Sequence, residues 1–150
     1  MKNILLRPAK TEDLDFVRQC AERAYEIYVE RIGKPPAPMI ADFWAALTKQ
    51  HLNIACLDRS PVGFVVSYVR GDHLFVENVA IHPDHQGQGI AKKLFSLLEQ
   101  RCKLNGLSSI ELYTNEKMTE NLTFYPNLGF CETDRRREAG FNRVYFRKTL

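Results

Sequence analysis

Residues Gln86-Gly87-Gln88-Gly89-Ile90-Ala91, with two glycines and a small alanine at alternate positions, are of a type and spacing that could hold a phosphate. Without a Cβ the backbone at Gly87 and Gly89 can come close to a ligand, and the first N–H groups of a following helix point outward at its positive end. An anion there gains roughly 0.3 to 1 kcal/mol when exposed and up to ~2 when partly buried. Lys92 and Lys93 add to the attraction. Two familiar phosphate loops do not fit: the G-x-G-x-x-G spacing is absent, and Gly89 is followed by Ile90-Ala91 rather than the Lys-Ser/Thr of a Walker loop. Glycines also suit any tight strand-to-helix connection, so the loop alone leaves both readings open.

The elements around the loop sharpen it. In residues 74–81, Leu74, Val76 and Ala80 fall on one face of a strand and Phe75, Val79 and Ile81 on the other, which predicts a central strand covered on both sides. His82-Pro83 ends it, because the residue before proline is held extended and proline has no N–H for a ladder. Leu94, Leu97 and Leu98 then mark an amphipathic helix.

A chain of 150 residues can bury one core, and a single domain over 1–150 is expected. Hydrophobic residues at 45% and charged residues at 26% are ordinary for a globular protein, and there is no apolar run of membrane-spanning length. The opening MKNILLRPAK has too short an apolar core for a signal peptide, so a cytoplasmic protein is expected. Cys20, Cys56, Cys102 and Cys131 form no CxxC and are read as reduced, packed thiols. A net charge of +3 is a weak footprint for nucleic acid, and Arg135-Arg136-Arg137 reads as a solvated strand face. His82 and His85, without further ligands, read as surface polarity, and no metal is expected.

Along the chain, residues 4–8 predict a first strand closed by Pro8, then a helix capped by Thr11 and running to about Arg31, with Gly33 as its stop. The proline-rich stretch 34–38 links it to a second helix over about 39–49, with Trp44 and Leu47 on its core side. Residues 53–57 and 62–69 predict an antiparallel hairpin around Asp58-Arg59-Ser60-Pro61, and Gly71-Asp72 turns into the central strand. The third helix ends near Asn105-Gly106, and residues 109–114 return as a strand parallel to the central one. A short helix over 119–127 and a hairpin of 131–137 with 143–148, joined through Gly140, complete the chain. The fold class is α+β, a mixed, mostly antiparallel twisted sheet of six to seven strands flanked by about four helices.

The loop resembles the pyrophosphate loop of the GNAT superfamily of acyl-CoA-dependent N-acetyltransferases, Q/R-x-x-G-x-G/A, with Gln86, Gly89 and Ala91 matching in order after a strand ending V-A-I-x-P. Residues 121–130, NLTFYPNLGF, resemble the family's second signature, F/L-Y-x-x-x-G-F, at the place where the family carries it. The resemblance implies a GNAT fold and transfer of an acetyl group from acetyl-CoA to a primary amine by direct attack in a ternary complex. It implies that residues 86–92, namely Gln86, Gly87, Gln88, Gly89, Ile90, Ala91 and Lys92, hold the cofactor phosphates, and that backbone N–H groups of Val79, Ala80 and Ile81 serve the pantetheine arm and the thioester oxygen. It also implies that Tyr125 is the general acid. Amine attack expels a thiolate, which a phenol can protonate, a contribution of roughly 10²- to 10⁴-fold when well positioned.

An alkylammonium acceptor must lose a proton before attack, and Glu77, a carboxylate in an otherwise apolar run, is the candidate base; an ion pair or plain exposure is the alternative for it. Tyr113 and Asn115 are fallback groups acting through water. In the family the region between the first two helices shapes the acceptor site, which nominates Tyr28, Pro36, Met39 and Phe43, with Trp44 beside them. One departure is Met118, where many members carry a cofactor-contacting asparagine; Asn121 is the substitute candidate. The acceptor is expected to be a small-molecule or peptide amine, with no nucleic acid or membrane partner, and the family's frequent dimers make a homodimer one open arrangement. A non-catalytic acyl-CoA sensor or interaction module is the alternative function.

Overall fold

The computed structural model describes residues 3–150. Among them run seven strands, β1 (Ile4–Pro8), β2 (Leu52–Leu57), β3 (Ser60–Arg70), β4 (His73–Ile81), β5 (Ser109–Asn115), β6 (Cys131–Glu138) and β7 (Phe141–Thr149), in one sheet of order β1-β2-β3-β4-β5-β7-β6. Four α-helices accompany them: α1 (Leu14–Ile32), α2 (Phe43–Thr48), α3 (Ile90–Leu104) and α4 (Thr119–Asn127). The sheet is mixed. β1 with β2, β2 with β3, β5 with β7 and β6 with β7 are antiparallel, whereas β4 and β5 are parallel, as the helix between them requires. The parallel ladder pairs His73–Val76 with Ser109–Leu112 and goes no further, although both strands do.

Two compact units can be distinguished. The first comprises Met1–Ser67 and Asn78–Leu98. Its core on one side of the strands joins Leu14, Val17, Cys20 and Ala21 of α1 with Phe43 and Ala46 of α2, Ile54, Phe64, Val66 and Ala80. On the other side Ala55, Leu57, Val62 and Ile81 pack with Ile90 and Leu94 of α3. Ala80 thus goes to α1 and α2 while its neighbour Ile81 goes to α3, which is the two-sided burial read from the alternation in β4. The second unit comprises Tyr68–Glu77 and Glu99–Leu150, where Ile110, Leu112, Val144 and Phe146 are buried.

Several local expectations are corrected. Thr11 does not cap α1: it opens a single 3-10 turn, and Asp13 is the residue before the helix, its carboxylate accepting from the Lys10 N–H at 2.7 Å. The second helix is only six residues long, since residues 37–40 form a separate 3-10 turn and Asp42 caps α2 by accepting from the Ala45 N–H at 3.0 Å. Trp44 is 52% exposed rather than in the core. Ser60 and Pro61 belong to β3, and the turn is Asp58-Arg59 alone, both with positive φ (49° and 75°) despite having side chains. Cys131 is exposed, whereas Cys20, Cys56 and Cys102 are buried.

Candidate functional site

In the first unit, the chain leaves β4 through a 3-10 turn at Pro83–His85, and Gln86 to Gly89 follow exposed to solvent before α3 opens at a buried Ile90. Gly87 and Gly89 have φ of 79° and 75°, a conformation that side chains resist, and a Cβ at either would meet no atom within 4 Å. Glycine is needed here for the turn, and the space above it stays open. Lys93 N donates to Gly89 O at 3.2 Å, so the helical ladder starts there. The N–H groups before it are those that no helical carbonyl can reach. Lys92 and Lys93 are exposed beside them.

Gln86 does something that its match to the motif did not announce. Its Nε2 donates to the Ile81 carbonyl at 3.0 Å, turning the side chain back onto β4. Two residues earlier, the Val79 carbonyl accepts from the Tyr25 hydroxyl of α1 at 2.7 Å. In an extended strand, alternate residues present their N–H and C=O to the same edge. His82 N donates to Val62 O on the β3 side at 2.8 Å, which by alternation turns Val79 and Ile81 to the other edge. That is the edge where the parallel ladder has already stopped. The carbonyls of 79 and 81 are therefore served by side chains, and the N–H groups of the same residues project beside them. Ala80, by the same alternation, faces β3.

Asn78 extends this arrangement. It is 5% exposed, its Oδ1 lies 3.1 Å from the Tyr25 hydroxyl, and its Nδ2 donates to the Pro38 carbonyl at 3.2 Å. The 3-10 turn between α1 and α2 is thereby tied to β4. Of the residues nominated in that region, Tyr28 and Met39 are half-buried, and the Arg31 guanidinium covers the Tyr28 ring at 5.2 Å. Pro36 is fully buried. Phe43 is 3% exposed and meets Phe64 edge-on with centroids 5.2 Å apart, so its ring is a core element and not a lining one. Tyr25 and Asn78 were not singled out from sequence; the signal was Asn78 itself, an amide in an otherwise apolar strand.

In the second unit, Tyr125 lies in α4, 6% exposed, with its ring against Phe124, Phe130 and Phe146 at 5.3, 5.7 and 5.7 Å. Its carbonyl accepts from Leu128 and Phe130 N–H at 3.0 and 3.1 Å, which closes the helix at Gly129, φ 96°. Asn121 donates through Nδ2 to Thr114 Oγ1 at 3.0 Å and approaches Met118 Sδ at 3.7 Å, fastening the first turn of α4 to the end of β5. Asn115 Oδ1 accepts from Lys117 N–H at 2.9 Å and shapes the turn between them.

Glu77 is exposed and has no ion pair or hydrogen bond among the described residues. Its charge reaches two phenols. Burial pushes the Tyr68 and Tyr113 hydroxyls up, and the Glu77 carboxylate raises both further, while Arg143 opposes it at Tyr113. Leu112 pairs with Phe146 and Tyr113 with Tyr145, so the Tyr125 ring, which rests on Phe146, and Tyr113 belong to opposite faces of the sheet.

Arg135 and Arg136 are paired with Glu132 and Asp134 on β6, as a solvated strand face would be. No helix among the described residues is long and apolar enough to cross a membrane.

Residues 15–130 match the model of the acetyltransferase (GNAT) family. No curated protein sequence gives a significant match. Among solved structures, the ribosomal-protein-S18-alanine N-acetyltransferase from Escherichia coli is similar at a TM-score of 0.78 with 18% identity, over 99% of this chain and 94% of that one. The PaiA N-acetyltransferase from Thermoplasma acidophilum, in complex with coenzyme A, is similar at 0.75 with 15% identity, over 99% of each chain. Arabidopsis thaliana Naa50, in complex with the bisubstrate analogue CoA-Ac-MVNAL, is similar at 0.75 with 14% identity, over 98% of this chain and 99% of that one. At such identities the likeness is one of fold.

Proposed function

We propose acetyl transfer from acetyl-CoA to a primary amine, by direct attack in a ternary complex, for this chain, which belongs to the acetyltransferase (GNAT) family. The observation that carries the proposal is the loop of Gly87 and Gly89, both at positive φ with open space above them, ahead of the first N–H groups of α3, which no helical carbonyl can reach. It supports the loop and Lys92 as the site of the pyrophosphate. The edge of β4 at Val79 and Ile81 supports pantetheine binding, since its carbonyls are already occupied by Tyr25 and Gln86 and its N–H groups are the donors left to offer. Coenzyme A bound to one structural neighbour and a CoA-peptide analogue bound to another favour the same reading.

In this reading the protein orients the thioester, and residues 1–150 act as one catalytic domain. The amine, once neutral, attacks the acetyl carbon; the C–N bond forms as the C–S bond breaks, the thiolate leaves with a proton from the Tyr125 phenol, and the second proton shed by the new amide nitrogen restores the phenol. Glu77 takes the proton lost by the ammonium; its exposure and freedom from an ion pair keep the carboxylate available for this. The acceptor is a small-molecule or peptide amine bordered by Tyr28 and Met39. No metal takes part in this route.

Equilibrium binding and turnover test the proposal together. Acetyl-CoA should bind the native protein, Gly89→Glu should abolish that binding, and a panel of amines should yield at least one acetylated product with release of CoA. Binding of neither CoA nor acetyl-CoA sinks the proposal. Binding without product from any amine leaves a non-catalytic acyl-CoA module in its place.

A further inference from the structure

One face of the second unit carries a row of aromatic rings that run across four strands. Tyr68 of β3 meets Phe75 of β4 at 5.6 Å, Phe75 meets Tyr113 of β5 at 5.9 Å, and Tyr113 meets Tyr145 of β7 at 5.5 Å. Cross-strand ring pairs of this kind stabilise a sheet, and that alone would explain the row. What it does not explain is the second layer. Arg70 lies over Phe75 at 4.6 Å and Arg143 over Tyr113 at 4.2 Å.

A guanidinium held over a ring face is positioned by the ring and can still offer its N–H groups for hydrogen bonds, an arrangement that suits carboxylate and phosphate. Arg70 is exposed and has no carboxylate partner among the described residues. Arg143 is ion-paired with Glu138 at 3.8 Å and lies beside the Tyr145 hydroxyl, whose pKa it acts to lower, so it is partly engaged. A third arginine stacked on the row, Arg136 over Tyr145, is already bonded to Asp134 at 2.6 Å. On the same face, His73 and Arg147 both contact Glu111. Arg70 on Phe75 is therefore the uncommitted guanidinium of the row, with the partly engaged Arg143 on the adjacent ring.

The unpaired carboxylate is part of the same surface. Glu77 follows Phe75 by two residues on β4, and both Tyr68 and Tyr113, the rings on either side of Phe75, feel its charge. Glu77 and Arg70 thus act with opposite sign on the same Tyr68 hydroxyl, and no ion pair joins them among the described residues.

We propose that Arg70, aided by Arg143, is the specificity determinant for an acceptor that carries an anionic group, a carboxylate or phosphate, on the same small molecule or peptide end as its amine. The inference rests on the acetyltransferase reading and on Glu77 as the amine end of the acceptor site. The cation of such an acceptor meets Glu77 while its anion meets the guanidinium pair, so the row of rings acts as a rigid floor that sets the spacing between them.

Matched acceptors test this. The kcat/KM of the native enzyme is measured for an ω-amino acid against the carboxamide of the same length, and for an aminoalkyl phosphate against the amino alcohol, with acetyl-CoA held saturating. A charge-assisted contact should favour at least one anionic member by about 10- to 100-fold. Whichever arm shows the larger preference identifies the anion as carboxylate or phosphate. In Arg70→Ala the preference should collapse through acceptor KM, with KM for acetyl-CoA and thermal stability unchanged, and Arg70→Lys should restore part of it. Equal kcat/KM for charged and uncharged members, or a preference that survives Arg70→Ala, overturns the proposal while leaving the acetyltransferase reading in place. Failure to acetylate any amine despite bound acetyl-CoA overturns both.

Discussion

The Tyr25 hydroxyl stands 2.7 Å from the Val79 carbonyl and 3.1 Å from Asn78 Oδ1, joining the middle of α1 to the stretch of β4 that has no β5 partner. A strand that runs on past its ladder leaves polar groups to be satisfied by other means. Here a phenol and an amide do so, and through Asn78 they also hold the Pro38 carbonyl. Tyr25→Phe keeps the ring and removes the hydroxyl. It should cost about 1 kcal/mol in urea unfolding, with an unchanged m-value. It should also speed amide exchange in residues 37–40, because Asn78 loses the neighbour that orients it. A variant with native stability and native exchange in that turn would show that the hydroxyl holds nothing.

Gly63 illustrates a different constraint on β4. Its backbone is not in the left-handed region, yet a Cβ there would lie 2.4 Å from the Ala80 carbonyl oxygen and 2.8 Å from Ile81 Cδ1. The nearest atom is backbone, so a side chain cannot simply swing away. Gly63→Ala should destabilise the protein by about 1 to 3 kcal/mol, as overpacking does, where an ordinary strand Gly→Ala change would be neutral or favourable. Chemical denaturation reads the difference directly. Because Ala80 and Ile81 belong to the segment assigned to the acetyl-CoA arm, acetyl-CoA affinity should fall with it.

What could be read from the sequence follows how locally each feature is specified. Pro8, Gly33, Gly71, Asn105-Gly106 and Gly140 punctuate the chain, and the elements between them, α2 excepted, came out within about two residues of expectation. Where the backbone takes an unusual conformation without glycine, as at Asp58-Arg59, turn composition found the place but not the extent. Periodicity failed at α2 because six residues are too few to define a face: Phe43 and Trp44 are adjacent and both aromatic, and only packing against Phe64 decides that one is buried and the other is not. The glycine loop and Tyr125 were legible as motifs. Tyr25 with Asn78 and Arg70 with Phe75 were not, since the first depends on how α1 packs against β4 and the second on where a side chain lies across a turn.

Tyr125 offers a clean separation of packing from chemistry. Its ring is fixed by Phe124, Phe130 and Phe146, contacts that phenylalanine would reproduce. Tyr125→Phe should therefore change stability by no more than about 1 kcal/mol. If the phenol protonates the departing thiolate, kcat should fall by about 10²- to 10⁴-fold while the Kd for acetyl-CoA stays as it was. Steady-state kinetics alongside calorimetric binding distinguishes the two quantities. Loss of binding in step with kcat would reassign the hydroxyl to holding the cofactor.

The Arg7–Asp13 pair gives a prediction in pH. Arg7 Nη1 and Nη2 donate to the two oxygens of Asp13 at 2.8 and 2.9 Å, and the Lys10 N–H adds a third bond at 2.7 Å. The guanidinium holds the Asp13 carboxyl below its usual range, burial works against it, and the Lys10 N–H assists. A carboxyl whose pKa is depressed by folding contributes stability that is fully present above its unfolded value of about 3.9 and is lost as pH falls through the lower folded value. Arg7→Met should thus cost about 1 to 3 kcal/mol at neutral pH, because it leaves a mostly buried carboxylate without its cation. The gap between native and variant proteins should persist down to about pH 5 and narrow below about pH 4, as Asp13 takes up its proton. Urea unfolding at several pH values across that interval measures it, and a gap of constant size throughout would mean that the pair contributes packing rather than charge.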